Sequence, residues 1–233
     1  MHINEKYQYS DVIRVTEPNG YRHYICPVTG KHLPSVTTIL SQTADKSFLN
    51  EWRQRVGNEK AEQIKKEALG LGTLMHTHLE NHILGKPRPG GNNLVRVMAE
   101  RMADTIIARG LVNVDEVYGS EVVLYYPELF AGTSDLVGVY QGKEAIMDFK
   151  TARKMRTDEQ IEDYKLQTCA YMQAHNEIHG TDIRTGVIFM VDRDYNYQEF
   201  LVEESEVDHY TMRWLDRLQQ FLFGADDGHA AAI

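Results

Sequence analysis

Cysteine is nearly absent from this 233-residue sequence: Cys26 and Cys169 are the only two. Two thiols make no disulfide framework, so an apolar core must hold the fold, and a reducing, cytoplasmic setting is the expected one. No run approaches the ~20 apolar residues of a membrane span, and the polar N-terminus lacks an apolar signal segment. No membrane role is therefore expected. Positive charge is scarce too, with 25 Lys and Arg against 34 Asp and Glu and a formal net charge of −9. That balance argues against a protein that coats nucleic acid, whose affinity would come from counterion release over a basic face. It leaves room for an enzyme whose acids bind metal and whose strand-binding channel is locally basic. Internal repeats and low-complexity linkers are also missing. One domain is expected over residues 1–233: an N-terminal β-hairpin region at 1–34, a core at 35–223 and a frayed tail at 224–233.

What is present concentrates in residues 131–154. Residues 136–140 and 145–150 read as two strands, with Gln141-Gly142 as the turn. A two-residue loop pairs Tyr140 with Lys143, and that register sets Asp135 opposite Asp148. Opposed residues of an antiparallel pair share a face, and Lys150, two residues on, joins them. Ala145, Met147 and Phe149 form the apolar reverse. A three-residue loop would instead move Asp135 to the other face. Adjacent carboxylates repel, and one takes up a proton unless a cation intervenes. Mg²⁺ suits such a pair and leaves room for phosphate oxygens. With a lysine to position an attacking water, the cluster fits metal-assisted phosphodiester hydrolysis. The plainer alternative is a surface hairpin with an ordinary Asp–Lys pair.

The segment resembles the catalytic hairpin of PD-(D/E)xK nucleases, with Asp135 as the first acid and Asp148-Phe149-Lys150 as the (D/E)xK element. The flanking Gly132-Thr133-Ser134-Asp135 and the trailing Thr151 are similar to the RecB-like branch, above all to the mitochondrial genome maintenance exonucleases and related phage exonucleases. Three further pieces carry the resemblance. Pro34-Ser35-Val36-Thr37-Thr38-Ile39-Leu40 resembles an element near the start of the mitochondrial type. On the residues alone, Ser35 and Thr37 suit either a helix cap or a phosphate contact. Gly72-Thr73-Leu74-Met75-His76 matches the G-x-x-x-H element, whose histidine ligates the catalytic metal in that family. Gln167 and Tyr171, with Tyr164 on the same helical face, match the Q-x-x-x-Y element that lines the substrate channel. Glu121 corresponds to an acid that can assist the metal site.

The rest of the chain fits around these pieces. A hairpin is expected from strands at 11–16 and 21–25, turning at Glu17-Pro18-Asn19-Gly20. A helical stretch at 47–69 carries Trp52, Arg53 and Arg55, either as core and solvated face or as a strand-binding set. Gly70 and Gly72 are expected to end it, with Thr73 capping a new helix. On that helix His76 and Glu80 share one face, and His78 and His82 form a rival pair. Further helices are expected at 94–109, 158–179 and 206–223, the last with an apolar face of Trp214, Leu215, Leu218, Phe221 and Leu222. Strands are expected at 117–126, 184–192 and 198–203. Arg153, Lys154 and Arg156 are either a basic patch or a solvated loop.

The resemblance implies an α/β fold of the PD-(D/E)xK, restriction-endonuclease-like kind: a central mixed sheet flanked by helices, with an N-terminal β-hairpin. It implies a Mg²⁺- or Mn²⁺-dependent DNA exonuclease acting on free ends of single-stranded DNA, of a size that fits a phage genome and a role in repair or recombination. Asp135, Asp148, His76 and the candidate Glu121 would hold metal, and Lys150 would position water. Gln167, Tyr171, Thr151, Arg153, Ser35 and Thr37 would contact the strand. Some RecB-like nucleases hold an iron–sulfur cluster on four cysteines; two cysteines exclude it here. The alternatives are a flap or junction endonuclease with the same metal residues, and a non-catalytic DNA-binding module.

Overall fold

The computed structural model describes residues 1, 3–17 and 21–224. Its centre is a five-stranded sheet in the order β4-β5-β6-β7-β8. The strands are β4 (Val114–Tyr126), β5 (Phe130–Tyr140), β6 (Lys143–Thr151), β7 (Gly186–Val191) and β8 (Tyr197–Val202). All neighbours are antiparallel except β6 and β7, so the sheet is mixed, as expected. Tyr140 pairs with Lys143 across the Gln141-Gly142 turn. Alternation then sorts the side chains onto two faces. Leu136, Ala145, Met147 and Phe149 enter one core with α3 (Asn58–Ile83) and α4 (Leu94–Arg109). Val137 and Ile146 enter the other with α1 (Val36–Thr43), α5 (Glu162–His179) and α6 (Glu204–Phe223). Helices thus cover both faces.

A second, small sheet contains β1 (Arg14–Thr16), β2 (Arg22–Ile25) and β3 (His32–Pro34). The first two strands form the expected hairpin, shorter than residues 11–25; its turn at 18–20 lies outside the described residues, as does the tail from 225. The third strand is new, since Leu33-Pro34 reads in sequence as the approach to a helix. Leu33 is fully buried against Tyr24, Cys26 and Ala131, and that packing docks the small sheet on β5. Both cysteines are buried and unpaired. Among the described residues, no helix is long and apolar enough to cross a membrane.

One helical boundary differs from expectation. Gly70 and Gly72 do not break the chain: α3 runs through both. Each glycine costs about 1 kcal/mol in a helix. Leu71, Met75, Leu79 and Ile83 bury almost completely along one stripe, at ~1.5–3 kcal/mol each, and outweigh that penalty. The break falls earlier, at Gly57, whose φ of 85° ends α2 (Ser47–Val56) in a conformation that glycine adopts freely. Trp52 on α2 is only half-buried, and α2 buries no residue completely. On α6, Trp214 and Leu218 are buried, but Leu215 and Leu222 face solvent. The stripe on α6 is therefore narrower than its sequence suggests.

The N-terminal arm is held by a polar cluster. Lys6 Nζ lies 2.5 Å from Glu144 Oε1, and the Tyr7 and Tyr9 rings pack on His175 and His179. Thr181 Oγ1 donates to Asn176 Oδ1, so His175 Nδ1–H donates to Thr181 and Nε2 accepts from the Tyr9 hydroxyl. Burial, then the neighbouring His179, pushes His175 down to about 4 from 6.5. The folded state keeps the ring neutral while the unfolded chain protonates it. Stability from this group is thus complete above pH 6.5 and falls as pH drops towards 4, by about 3 kcal/mol. Urea melts of wild type and His175→Asn at pH 7.5 and pH 5 should show a larger acid loss in the wild type. Equal losses would remove His175 as the cause.

Candidate metal centre

The β5–β6 ladder stops at Leu136–Met147, one step short of the two acids. There β6 continues beside β7, and the Phe149 N–H turns to the Asp135 side chain, 2.7 Å from Oδ2. A carboxylate replaces a backbone acceptor, so the strands part and leave a cavity at their ends. Asp135 and Asp148 reach it by the expected alternation and are only 7% and 2% exposed.

The rest of the cluster arrives from separate elements. His76, on α3, places Nε2 2.9 Å from the Phe149 carbonyl. A carbonyl only accepts, so Nε2 carries the hydrogen and Nδ1 faces the acids, 3.4 Å from Asp135 Oδ1 and 3.9 Å from Glu121 Oε1. Lys150 Nζ lies 2.5 Å from Asp148 Oδ2 and 4.9 Å from the centre of the Tyr164 ring. Gln167 Nε2 donates to Asp148 Oδ1 at 3.3 Å and to the Tyr171 hydroxyl at 3.2 Å. Gly132 makes room for that tyrosine: a Cβ there would lie 2.5 Å from the Tyr171 ring.

These contacts set the charges. Burial raises Asp148 to about 6, and repulsion from Asp135 adds to it, against the pull of Lys150. Burial opposes ionisation of Asp135 as well, but the His76 ring outweighs it and holds this acid below the usual range. Burial would discharge His76, yet Asp135 and Glu121 push it up to about 10. Lys150 stays protonated because Asp148 and Asp135 overcome its desolvation.

His76, Glu121 and Asp135 form a three-donor group whose ligand atoms all lie within 4.8 Å of one another. That is close to the ~4 Å between opposite ligands of a Mg²⁺ ion, and one imidazole with two carboxylates also suits Mn²⁺. A proton on His76 balances the acids in this arrangement, so the donors fit a divalent cation. Glu121 is bound into β4 at a φ of 54°, a left-handed conformation unfavourable for a residue with a side chain.

The same cavity brings in Ser35, Thr37, Thr151, Glu80 and Tyr164. Ser35 is a helix cap, its Oγ accepting from the Thr38 N–H at 3.0 Å, and it is itself buried. Thr37 lines the cavity beside it. Arg153, Lys154 and Arg156 are exposed, and neither they nor Trp52 line the cavity. The short path from Ala152, which is tied to Val191, leads them out into solvent. Tyr171 is 2% exposed, so it braces Gln167 and cannot stack on a base. His78 is buried and lies towards Glu100 and Arg88, away from the acids, so the rival histidine pair does not join the cluster. The sequence reading missed Arg14, Arg22 and Tyr24, which the small sheet adds to the cavity wall. Their shared face could be inferred from the hairpin, but not where the sheet docks.

No protein-family model matches the chain. It is 28% identical over 209 residues to mitochondrial genome maintenance exonuclease 1 of Homo sapiens, across 84% of this chain and 60% of that protein. The protein of the same name from Mus musculus is 27% identical over 210 residues, with the same coverage. The chain is a distant homologue of mitochondrial genome maintenance exonuclease 1. It spans about 60% of the length of these relatives. Among solved structures, it is similar to a putative exonuclease from Eubacterium rectale, with a TM-score of 0.48, 13% identity and 68% of each chain covered. It is also similar to an alkaline exonuclease from Laribacter hongkongensis, with a TM-score of 0.27 and 16% identity over 66% of this chain and 82% of that one. The sequence similarity to the two mitochondrial genome maintenance exonucleases bears out the resemblance expected from the motifs.

The left-handed Glu121 gives a direct check on strain. Glu121→Gly should be more stable than Glu121→Ala by about 1 kcal/mol, because only glycine relieves the backbone. Urea unfolding measures the difference. Equal stability, or a more stable alanine variant, would mean that this turn of β4 carries no strain.

Proposed function

We propose that the chain is a metal-dependent deoxyribonuclease that shortens single-stranded DNA from a free end. The observation that carries this reading is the three-donor group of His76, Glu121 and Asp135 set beside the buried Asp148–Lys150 pair in one cavity. Distant homology to an exonuclease supports it.

His76, Glu121, Asp135 and Asp148 would hold one or two divalent ions. A bound Mg²⁺ or Mn²⁺ supplies Lewis acidity at the scissile phosphate and a water of lowered pKa. Lys150 remains an ammonium, so it acts as an orienting cation: it can hold the attacking water and offset charge on the phosphate. Gln167 fixes the Asp148 carboxylate, and Tyr171 braces Gln167 from behind. The Tyr164 ring underlies Lys150 and limits where the ammonium can go. Thr37 and Thr151 offer hydroxyl groups to the strand. Asp148→Ala should abolish cleavage.

Single-strand preference rests on the chain's acidity. A net charge of −9 weakens non-specific attraction to duplex DNA, so binding would centre on the cavity. The nuclease reading keeps both acids and the lysine, which a binding-only module has no need of.

Two experiments test this. His76→Ala should weaken Mn²⁺ binding and cut turnover by ~100-fold or more, whereas His82→Ala stays near wild type. His78→Ala, a buried change, should lower stability without altering Mn²⁺ affinity. Calorimetric titration and steady-state kinetics separate the three, and the opposite ranking would assign the metal to the other face of α3. Second, circular single-stranded DNA should persist with Mg²⁺ while its linearised form is degraded to short products. Equal loss of both would replace the exonuclease with an endonuclease that uses the same donors.

A further inference from the structure

The cavity that holds the metal donors is lined by residues of opposite charge. Glu80, Glu121, Asp135 and Asp148 are its acids. The small sheet contributes Arg14 and Arg22. These two lie on one face of the hairpin, because Arg14 opposes Tyr24 while Arg22 opposes Thr16. Tyr24 fixes where that face points: it is buried, with its hydroxyl 3.1 Å from Thr133 Oγ1, two residues before Asp135.

Neither arginine has a carboxylate partner among the described residues. Five of the other arginines have one, among the described residues, and Arg14 and Arg22 are the arginines that line this cavity. In a chain where acids outnumber bases, two uncompensated guanidinium groups on a cavity wall await an anion. Arg22 also has a rigid base. Its carbonyl accepts from the Ser35 N–H at 3.0 Å and from Thr38 Oγ1 at 3.3 Å, which ties the strand to the start of α1 beside Thr37. Guanidinium groups match phosphate geometry and keep their charge at any working pH.

We propose that Arg14 and Arg22, with the Thr37 hydroxyl beside them, form a phosphate-binding subsite that grips an internal phosphodiester of the DNA strand away from the metal donors. This rests on the nuclease reading above. The subsite gives an acidic protein a local hold on a polyanion and sets the strand between the small sheet and the metal group.

Binding of a labelled single-stranded oligonucleotide, followed by anisotropy in Ca²⁺ over a series of KCl concentrations, tests it without cleavage. Each guanidinium that neutralises a phosphate on a single strand adds about 0.7 to the slope of log affinity against log salt. Arg14→Gln and Arg22→Gln should each lower the slope by about 0.7, and the double variant by about 1.4. In Mg²⁺ kinetics KM should rise while kcat holds. Arg153→Gln, outside the cavity, should leave the slope unchanged. A wild-type slope in the double variant, or an equal fall in Arg153→Gln, overturns the subsite while leaving the nuclease intact. No binding by the wild-type protein overturns the nuclease reading along with it.

Discussion

Two carboxylates held inside the protein place demands on everything near them. Burying an ionised acid costs several kcal/mol, and two side by side add repulsion. Asp135 is relieved by the Phe149 N–H and by His76; Asp148 is relieved by Lys150 and Gln167. The four compensating groups come from three places: β6 supplies the Phe149 N–H and Lys150, α3 supplies His76 from one face of the sheet, and α5 supplies Gln167 from the other. The sheet, α3 and α5 must therefore be assembled before the acids can be charged. Asp148 remains the less compensated of the two, which its elevated pKa reports.

The same constraint explains the local irregularities. The ladder between β5 and β6 ends where Asp135 takes over as an acceptor, and that parting opens the cavity. Glu121 sits in a left-handed turn beside it, a strained conformation of the sort that collects at functional sites. Gly132 admits Tyr171, whose hydroxyl meets Gln167 and so steadies Asp148 at one remove. Features that weaken a plain sheet here serve the cluster of donors.

The small sheet adds a different ingredient. Its packing is apolar, through Tyr24, Cys26 and Leu33 on β5, yet its exposed face carries cations. The acids crowd the centre of the molecule, while Arg14 and Arg22 stand on the small sheet at the cavity wall.

The hairpin that carries Asp135 and Asp148 was legible because its information is local. A two-residue turn fixes register, and register fixes which side chains share a face; Tyr140–Lys143 and the burial of Ala145, Met147 and Phe149 follow from alternation alone. The bounds of α4 were legible from local pattern as well, whereas the mixed, two-faced sheet was implied only by the family resemblance. Only tertiary structure decided the rest. Whether Gly70 and Gly72 break a helix depends on how much apolar area Leu71 and Met75 can bury, and propensity does not contain that quantity. Whether Tyr171 stacks or braces, whether Arg153 meets the cavity, and whether Arg14 and Arg22 do, depends on which surfaces dock. Docking sums many weak contacts between residues far apart in sequence, so it has no short pattern along the chain from which it could be read.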